Sequence, residues 1–265
     1  MNKTFVMLSG LPRSGSTVLT SMLNQHPSIH ASTTSPLADF LISSIESWPV
    51  LAQQMAEKPP RQMENIIEGV VDGAYKHIDK PVIIDKNRLW PRLSQVMGST
   101  LQHKPKIICT VRSIPEILSS YIILFAKKPD QPNFVDEDLR QNGIPINTKT
   151  RCKLLWEKFI NHPYKSLLMG HNSKQCDILY LNYDDIVGDG QGTLDKICEF
   201  IGIDYYQLDT ENLQPMDEND KYHGFVGLHD VRKELKRTSP RAEDVIGKDL
   251  VKLYTDMKLD FWNRV

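Results

Sequence analysis

Apolar residues in this chain fall into short unbroken runs, separated by longer stretches where they return every three or four positions. Four runs, Thr4–Leu8, Pro81–Ile84, Lys106–Val111 and Ile178–Asn182, are rich in Val, Ile or Leu and lack polar alternation. That pattern predicts strands covered on both faces. Between them the period changes to that of a helix. Ser16 to Asn24 places Val18, Leu19, Met22 and Leu23 on one stripe, and Pro115 to Phe125 does the same with Ile117, Leu118, Tyr121, Ile122 and Phe125. A third pattern runs from Thr148 to Leu168 with a break expected at Pro163. A fourth, Thr193 to Ile201, stops at Gly202. The last opens at Ser239-Pro240, carries Glu243 and Asp244 in its first turn, and is expected to bury Ile246, Leu250, Leu253 and Met257. Strands alternating with helices predict an α/β fold, a central parallel sheet flanked by helices in three layers. Ligands in such folds gather at the C-terminal ends of the strands. Three stretches without clear period, near 28–60, 127–147 and 203–237, are expected to roof that end.

Composition adds limits. At ~150 residues per domain, 265 residues allow one domain or two, and the absence of a linker favours a single domain over 1–265. Lys+Arg total 32 against 33 Asp+Glu, so a broad electrostatic grip on nucleic acid or an anionic membrane is not expected, though a local basic pocket is. Nothing in the chain approaches the ~18 apolar residues of a membrane span, and the run Phe5–Leu8 is too short for a signal peptide. Cys109, Cys152, Cys176 and Cys198 form no metal-ligand or C-x-x-C spacing, which suits reduced thiols in a cytoplasmic protein. No metal is expected, and Pro27 between His26 and His30 argues against a metal-binding helix face. Nothing in the sequence sets an oligomeric state.

The sharpest signal is Gly10-Leu11-Pro12-Arg13-Ser14-Gly15-Ser16-Thr17, directly after the first strand and opening the first helix. Backbone N–H groups in such a turn, with the helix N-terminus behind them, cradle an anion. The spacing matches G-x-x-x-x-G-K-[ST], but Ser16 occupies the lysine slot and the positive charge has moved forward to Arg13. That loss disfavours a phosphotransferase using Mg·ATP, which nevertheless stays as the alternative from the same fold.

The segment Leu11 to Leu19, followed by Asn24-Gln25-His26-Pro27, resembles the phosphosulfate loop and first helix of sulfotransferases that use 3′-phosphoadenosine 5′-phosphosulfate (PAPS). With an arginine in the loop, it is closer to the carbohydrate and tyrosylprotein branch than to the small-molecule branch. The resemblance implies that Arg13 and the backbone of Ser14, Gly15, Ser16 and Thr17 hold the 5′-phosphosulfate. Arg112, at a strand end, and Ser120, eight residues on, match the pair that holds the 3′-phosphate. An arginine fork suits phosphate oxygens. Lys86, just past a buried strand, matches the lysine at the bridging oxygen. Arg237 in Lys236-Arg237-Thr238-Ser239 matches the basic loop over the 3′-phosphate, and Tyr183 matches a tyrosine near the nucleotide.

The general base is where the sequence departs from the family. Ser35 or Thr34 stands where related branches carry a glutamate, and Arg88 stands where the small-molecule branch carries a histidine. Two substitutes remain: His229, in the Gly-flanked stretch Gly224–Arg232, and Asp39. The acceptor expected is a hydroxyl, or an amine, on a small molecule or carbohydrate. Loss of the base also leaves room for a non-catalytic nucleotide-binding relative. Trp48, Phe125, Phe134, Tyr205, Tyr206 and Phe225 are candidates for the acceptor pocket or for ordinary core.

Overall fold

The computed structural model describes residues 3–53, 60–101, 104–216, 220, 224–236 and 240–264. Its elements follow in chain order: β1 (Thr4–Gly10), α1 (Ser16–Leu23), β2 (Ile29–Thr34), α2 (Leu37–Ala52), α3 (Gln62–Ala74), β3 (Val82–Lys86), α4 (Ser94–Thr100), β4 (Lys106–Val111), α5 (Ile114–Lys127) and α6 (Phe134–Gln141). Then come α7 (Thr148–Leu155), α8 (Asn161–Ser173), β5 (Asp177–Asn182), α9 (Tyr183–Gly188), α10 (Gly190–Ile201), α11 (Ala242–Ile246) and α12 (Lys248–Asp256). The strands form one parallel sheet in the order β2-β3-β1-β4-β5. All four expected strands are present.

Alternation along β1 divides the core in two. Phe5 and Met7 face a layer that includes α2, α3, α5, α7 and α8, whereas Val6 and Leu8 face α1, α9 and α10. Every one of these four side chains is buried, so β1 is the centre of a three-layer sandwich, as its unbroken apolar run requires.

Several elements differ from the sequence expectation. The stretch 28–60 is not irregular where described: it holds edge strand β2 and helix α2. β2 escapes notice because Ile29 and Ala31 alone give it an inward face, and its register shifts between Ala31 and Thr34. Likewise 127–147 contains α6, capped by Asn133, whose side chain accepts from the Asp136 N–H. The long helix from Thr148 does not end at Pro163. It widens into one π turn at Trp156–Ile160, where the Asn161 N–H reaches back five residues to the Trp156 carbonyl, and continues as α8. That turn absorbs the disruption a proline makes in its own preceding ladder.

The final helical stretch is broken at Gly247 (φ 83°) into α11 and α12. The break resets the helical phase. Ile246 is buried and Leu250 half-buried, but Leu253 and Met257 are 54% and 42% exposed, and Tyr254 takes the inward place. No described helix is long and apolar enough to cross a membrane.

Candidate active site

The turn after β1 is built on two glycines with left-handed backbone. Gly10 (φ 145°) lies so close to β4 that an added Cβ would sit 2.2 Å from the Thr110 carbonyl oxygen. Gly15 (φ 93°) ends the turn as the N-cap of α1. Arg13 also has a left-handed backbone (φ 58°), a cost of about 1 kcal/mol for a residue with a Cβ. The first bond inside α1 runs from the Leu19 N–H to the Gly15 carbonyl, so the amides of Ser16, Thr17 and Val18 have no acceptor within the helix. No side chain caps them. They form the anion-binding end of α1.

Ser14 does not face that end. Its fully buried hydroxyl contacts the Leu11 carbonyl, the Thr110 carbonyl (3.0 Å) and Thr110 Oγ1 (2.7 Å), fastening the turn to β4. The structure makes its side chain a brace of the turn, and Ser14 does not line the cavity.

β4 ends at Val111, and Arg112 follows, 7% exposed. Its guanidinium donates to the Arg13 carbonyl (3.2 Å) and to Glu116 Oε2 (2.9 Å), and its Cζ lies 4.0 Å from the centre of the Tyr183 ring. An ion pair on one side and an aromatic face on the other fix the fork's plane. Arg13 donates from Nε to Ser120 Oγ (3.1 Å) and from Nη1 to the Leu228 carbonyl. Burial lowers its pKa from the ordinary value, but a guanidinium stays charged. Arg13 and Ser120, which the resemblance gives to opposite ends of the donor, thus touch each other. By accepting from Arg13, Ser120 keeps its own O–H to donate elsewhere.

These groups open onto a cavity of about 370 Å³ lined by Arg13, Gly15, Ser16, Thr17, Arg88, Arg112, Ser120 and Tyr183. Its outer wall is the end of α5, including Lys127 and Lys128, together with Leu213 and the stretch Gly227–Lys236. His229 lies in that wall. Its side chain is 8% exposed, and its Nδ1 is 2.7 Å from Asp220 Oδ1. Nothing in the sequence singled out Asp220: it stands nine residues earlier in a polar stretch, a separation no motif covers.

Other predicted residues stand apart. Lys86, 6% exposed, ends β3 beside β1 and donates its backbone N–H to Ser32 Oγ (2.9 Å), but it is not part of the cavity wall. Arg88, two residues on, is. Preceding Lys86, fully buried Asp85 accepts from the Tyr75 hydroxyl and from Trp90 Nε1 (2.7 Å), and burial raises its pKa. Asp39 is on the surface in the first turn of α2, accepts from Asn87 Nδ2 (2.6 Å), and does not line the cavity. Arg237 lies outside the described residues, although neighbouring Lys236 lines the wall.

His26 is a packing residue, with Nε2 at 2.9 Å from the Asp204 carbonyl oxygen and Nδ1 accepting from the Ser28 N–H. Phe125 and Phe225 stack in the core, Phe134 and Tyr205 are exposed, and Trp48 and Tyr206 are half-buried. None of the six lines this cavity. All four cysteines are buried free thiols.

Residues 3–225 match the family model described as the sulfotransferase domain. Among solved structures, the sulfotransferase domain from the curacin biosynthetic pathway is 16% identical, with a TM-score of 0.51 over 95% of this chain and 98% of that one. The sulfotransferase domain from the Synechococcus PCC 7002 olefin synthase is 18% identical, with a TM-score of 0.44 over 94% of each chain. A sulfotransferase from Alicyclobacillus acidocaldarius is 16% identical, with a TM-score of 0.48 over 83% of this chain and 88% of that one. No curated protein matches the chain by sequence.

Proposed function

The chain belongs to the sulfotransferase family, and from that premise we propose that it transfers a sulfuryl group from PAPS to a hydroxyl, or an amine, of a small-molecule or carbohydrate acceptor. The observation that carries the donor is the convergence of the Arg13–Thr17 turn, Arg112 and Ser120 on one cavity wall. PAPS, when bound, supplies an activated sulfuryl group that leaves its 5′-phosphate as the acceptor attacks in line. The rest is positioning and charge. The amides of Ser16 and Thr17 hold the anionic 5′ end. Arg112, oriented by Glu116 and Tyr183, meets the 3′-phosphate together with the Ser120 hydroxyl and the basic Lys236-Arg237 loop. Arg13 offsets charge on the leaving oxygen, the role the resemblance also gives to Lys86, which ends β3 opposite Leu8 of β1.

His229 is the base in this reading. It lines the cavity and Asp39 does not, and an imidazole titrates near neutrality. The whole chain acts as one domain in the cytoplasm, its buried thiols reduced. Against the Mg·ATP alternative stands Ser16 in the lysine slot.

Thermal melts with adenosine 3′,5′-bisphosphate, ADP and Mg·ATP at equal concentration test the donor. At ~100 times its dissociation constant a ligand adds about 2.7 kcal/mol, or roughly 5–10 °C for a chain of this size. A shift confined to the bisphosphate supports PAPS. A shift with Mg·ATP alone overturns it.

A further inference from the structure

A histidine used as a base must present the correct ring nitrogen unprotonated, and its partner at the other nitrogen decides which one that is. His229 lines the cavity, and its Nδ1 is 2.7 Å from Asp220 Oδ1, with the two side chains 8% and 18% exposed. A neutral imidazole with its proton on Nδ1 donates to that carboxylate and leaves Nε2 as the basic atom. We infer that Asp220 is the positioning residue of the reaction: it fixes the Nδ1–H form of His229 and raises the basicity of Nε2. This rests on the reading of His229 as the base.

The proton balance then closes. As the acceptor oxygen forms its bond to sulfur, its proton passes to Nε2. The bond from sulfur to the bridging oxygen breaks, its electron pair stays with adenosine 3′,5′-bisphosphate, and the imidazolium is held against Asp220.

The surroundings give the pairing its weight. From the phosphate loop, Arg13 donates to the Leu228 carbonyl, next to His229 in the chain. From the end of α5, Lys128 lies 3.7 Å from Asp230, on the other side of His229. Arg232 and Glu234 belong to the same stretch, and Arg88, Arg112 and Lys127 line the same cavity. Among these cations Asp220 sets a carboxylate directly against the imidazole ring, the arrangement that holds an imidazolium once it forms. Asp220 also carries the loop's geometry, since its other oxygen, Oδ2, lies 3.5 Å from the His229 backbone nitrogen.

The test is side-chain ¹H–¹⁵N NMR of the full chain across pH, the His229 signals being assigned by their loss in His229→Gln. The expected wild-type result is a neutral ring protonated on Nδ1. Asp220→Asn is expected to lower the His229 pKa by about one unit or more, and Asp220→Ala to release the tautomer toward Nε2–H. A wild-type ring protonated on Nε2 would overturn the assignment, as would a pKa and tautomer unchanged in both variants. Stabilisation by adenosine 3′,5′-bisphosphate, measured beside each spectrum, shows that a variant is folded. If both variants fail to fold, the wild-type tautomer alone decides. Failure of the sulfuryl-transfer reading is distinct: it appears as loss of the bisphosphate shift in the wild type, whatever tautomer His229 adopts.

Discussion

Ser14 and Arg112 flank the same turn and do different work, which two substitutions separate. The Ser14 hydroxyl is spent on Leu11 and Thr110, with no part in the cavity wall. Ser14→Ala leaves those partners short of a buried hydrogen bond, so chemical denaturation should show a loss of about 1–3 kcal/mol. Affinity for adenosine 3′,5′-bisphosphate, by calorimetry, should change less than about threefold, since ~0.6 kcal/mol bounds the loss of an indirect contact. Arg112→Ala reverses the balance. Charged hydrogen bonds contribute about 1.5–3 kcal/mol each, so the bisphosphate should bind about 10–100-fold more weakly. Equal affinity in wild type and Arg112→Ala would remove the phosphate role. At this scale the sequence shows residue types and spacing but not direction. Arg13 and Arg112 are legible from their spacing, Arg13 inside the glycine-bounded turn and Arg112 at a strand end eight residues before Ser120. The brace that Ser14 makes is not legible, because a hydroxyl looks the same in sequence whether it faces the cavity or the sheet. Asp220 is invisible because its partner is set by a loop, not by a period.

The phosphate turn depends on how closely β1 approaches β4, and Gly10 measures that approach. A Cβ there would lie 2.2 Å from the Thr110 carbonyl oxygen and 2.8 Å from its nitrogen, both backbone atoms that cannot swing aside. Gly143, also at positive φ (66°), has no atom within 4 Å of its Cβ position. Gly143→Ala therefore carries backbone strain alone, about 1 kcal/mol. Gly10→Ala adds overpacking, for about 2–5 kcal/mol in total. Equal losses in urea unfolding would show that β4 yields to the methyl group. Among elements, those with strong periods were legible: β1, β3 and β4 as buried strands, α1, α5 and the stop of α10 at Gly202, whereas β5 was found as a strand but lies at the sheet edge with Leu181 alone buried, not covered on both faces. β2 was hidden because an edge strand with two inward side chains carries too little pattern, and α2 because serines interrupt its apolar face. The break at Gly247 was misread because a glycine in the left-handed region resets the face of everything after it. Leu253 and Met257 were assigned to a stripe that α12 does not share with α11.

Charge is where the whole molecule and its cavity part company. The chain carries a net charge of −1, yet among the described residues Arg13, Arg88, Arg112, Lys127, Lys128, Arg232 and Lys236 line the cavity against two carboxylates, Asp230 and Glu234. Opposite charge is therefore spread over the remaining surface, and the positive field is concentrated at the C-terminal edge of the sheet, where low-dielectric walls focus it. Such a field attracts a multiply charged nucleotide and is screened by salt. Between 0.1 M and 1 M salt the Debye length falls from about 10 Å to about 3 Å. The dissociation constant of adenosine 3′,5′-bisphosphate should then rise about tenfold or more, whereas that of uncharged adenosine should stay nearly constant. The melting temperature without ligand should move little, because ion pairs such as Lys252–Asp256 and Lys104–Asp177 are largely solvated and add little to stability. Parallel titrations at the two salt concentrations check all three. A bisphosphate affinity indifferent to salt would mean that the cavity's cations are already neutralised by their protein partners, and that the backbone amides of the Arg13–Thr17 turn bind the donor without help from the field.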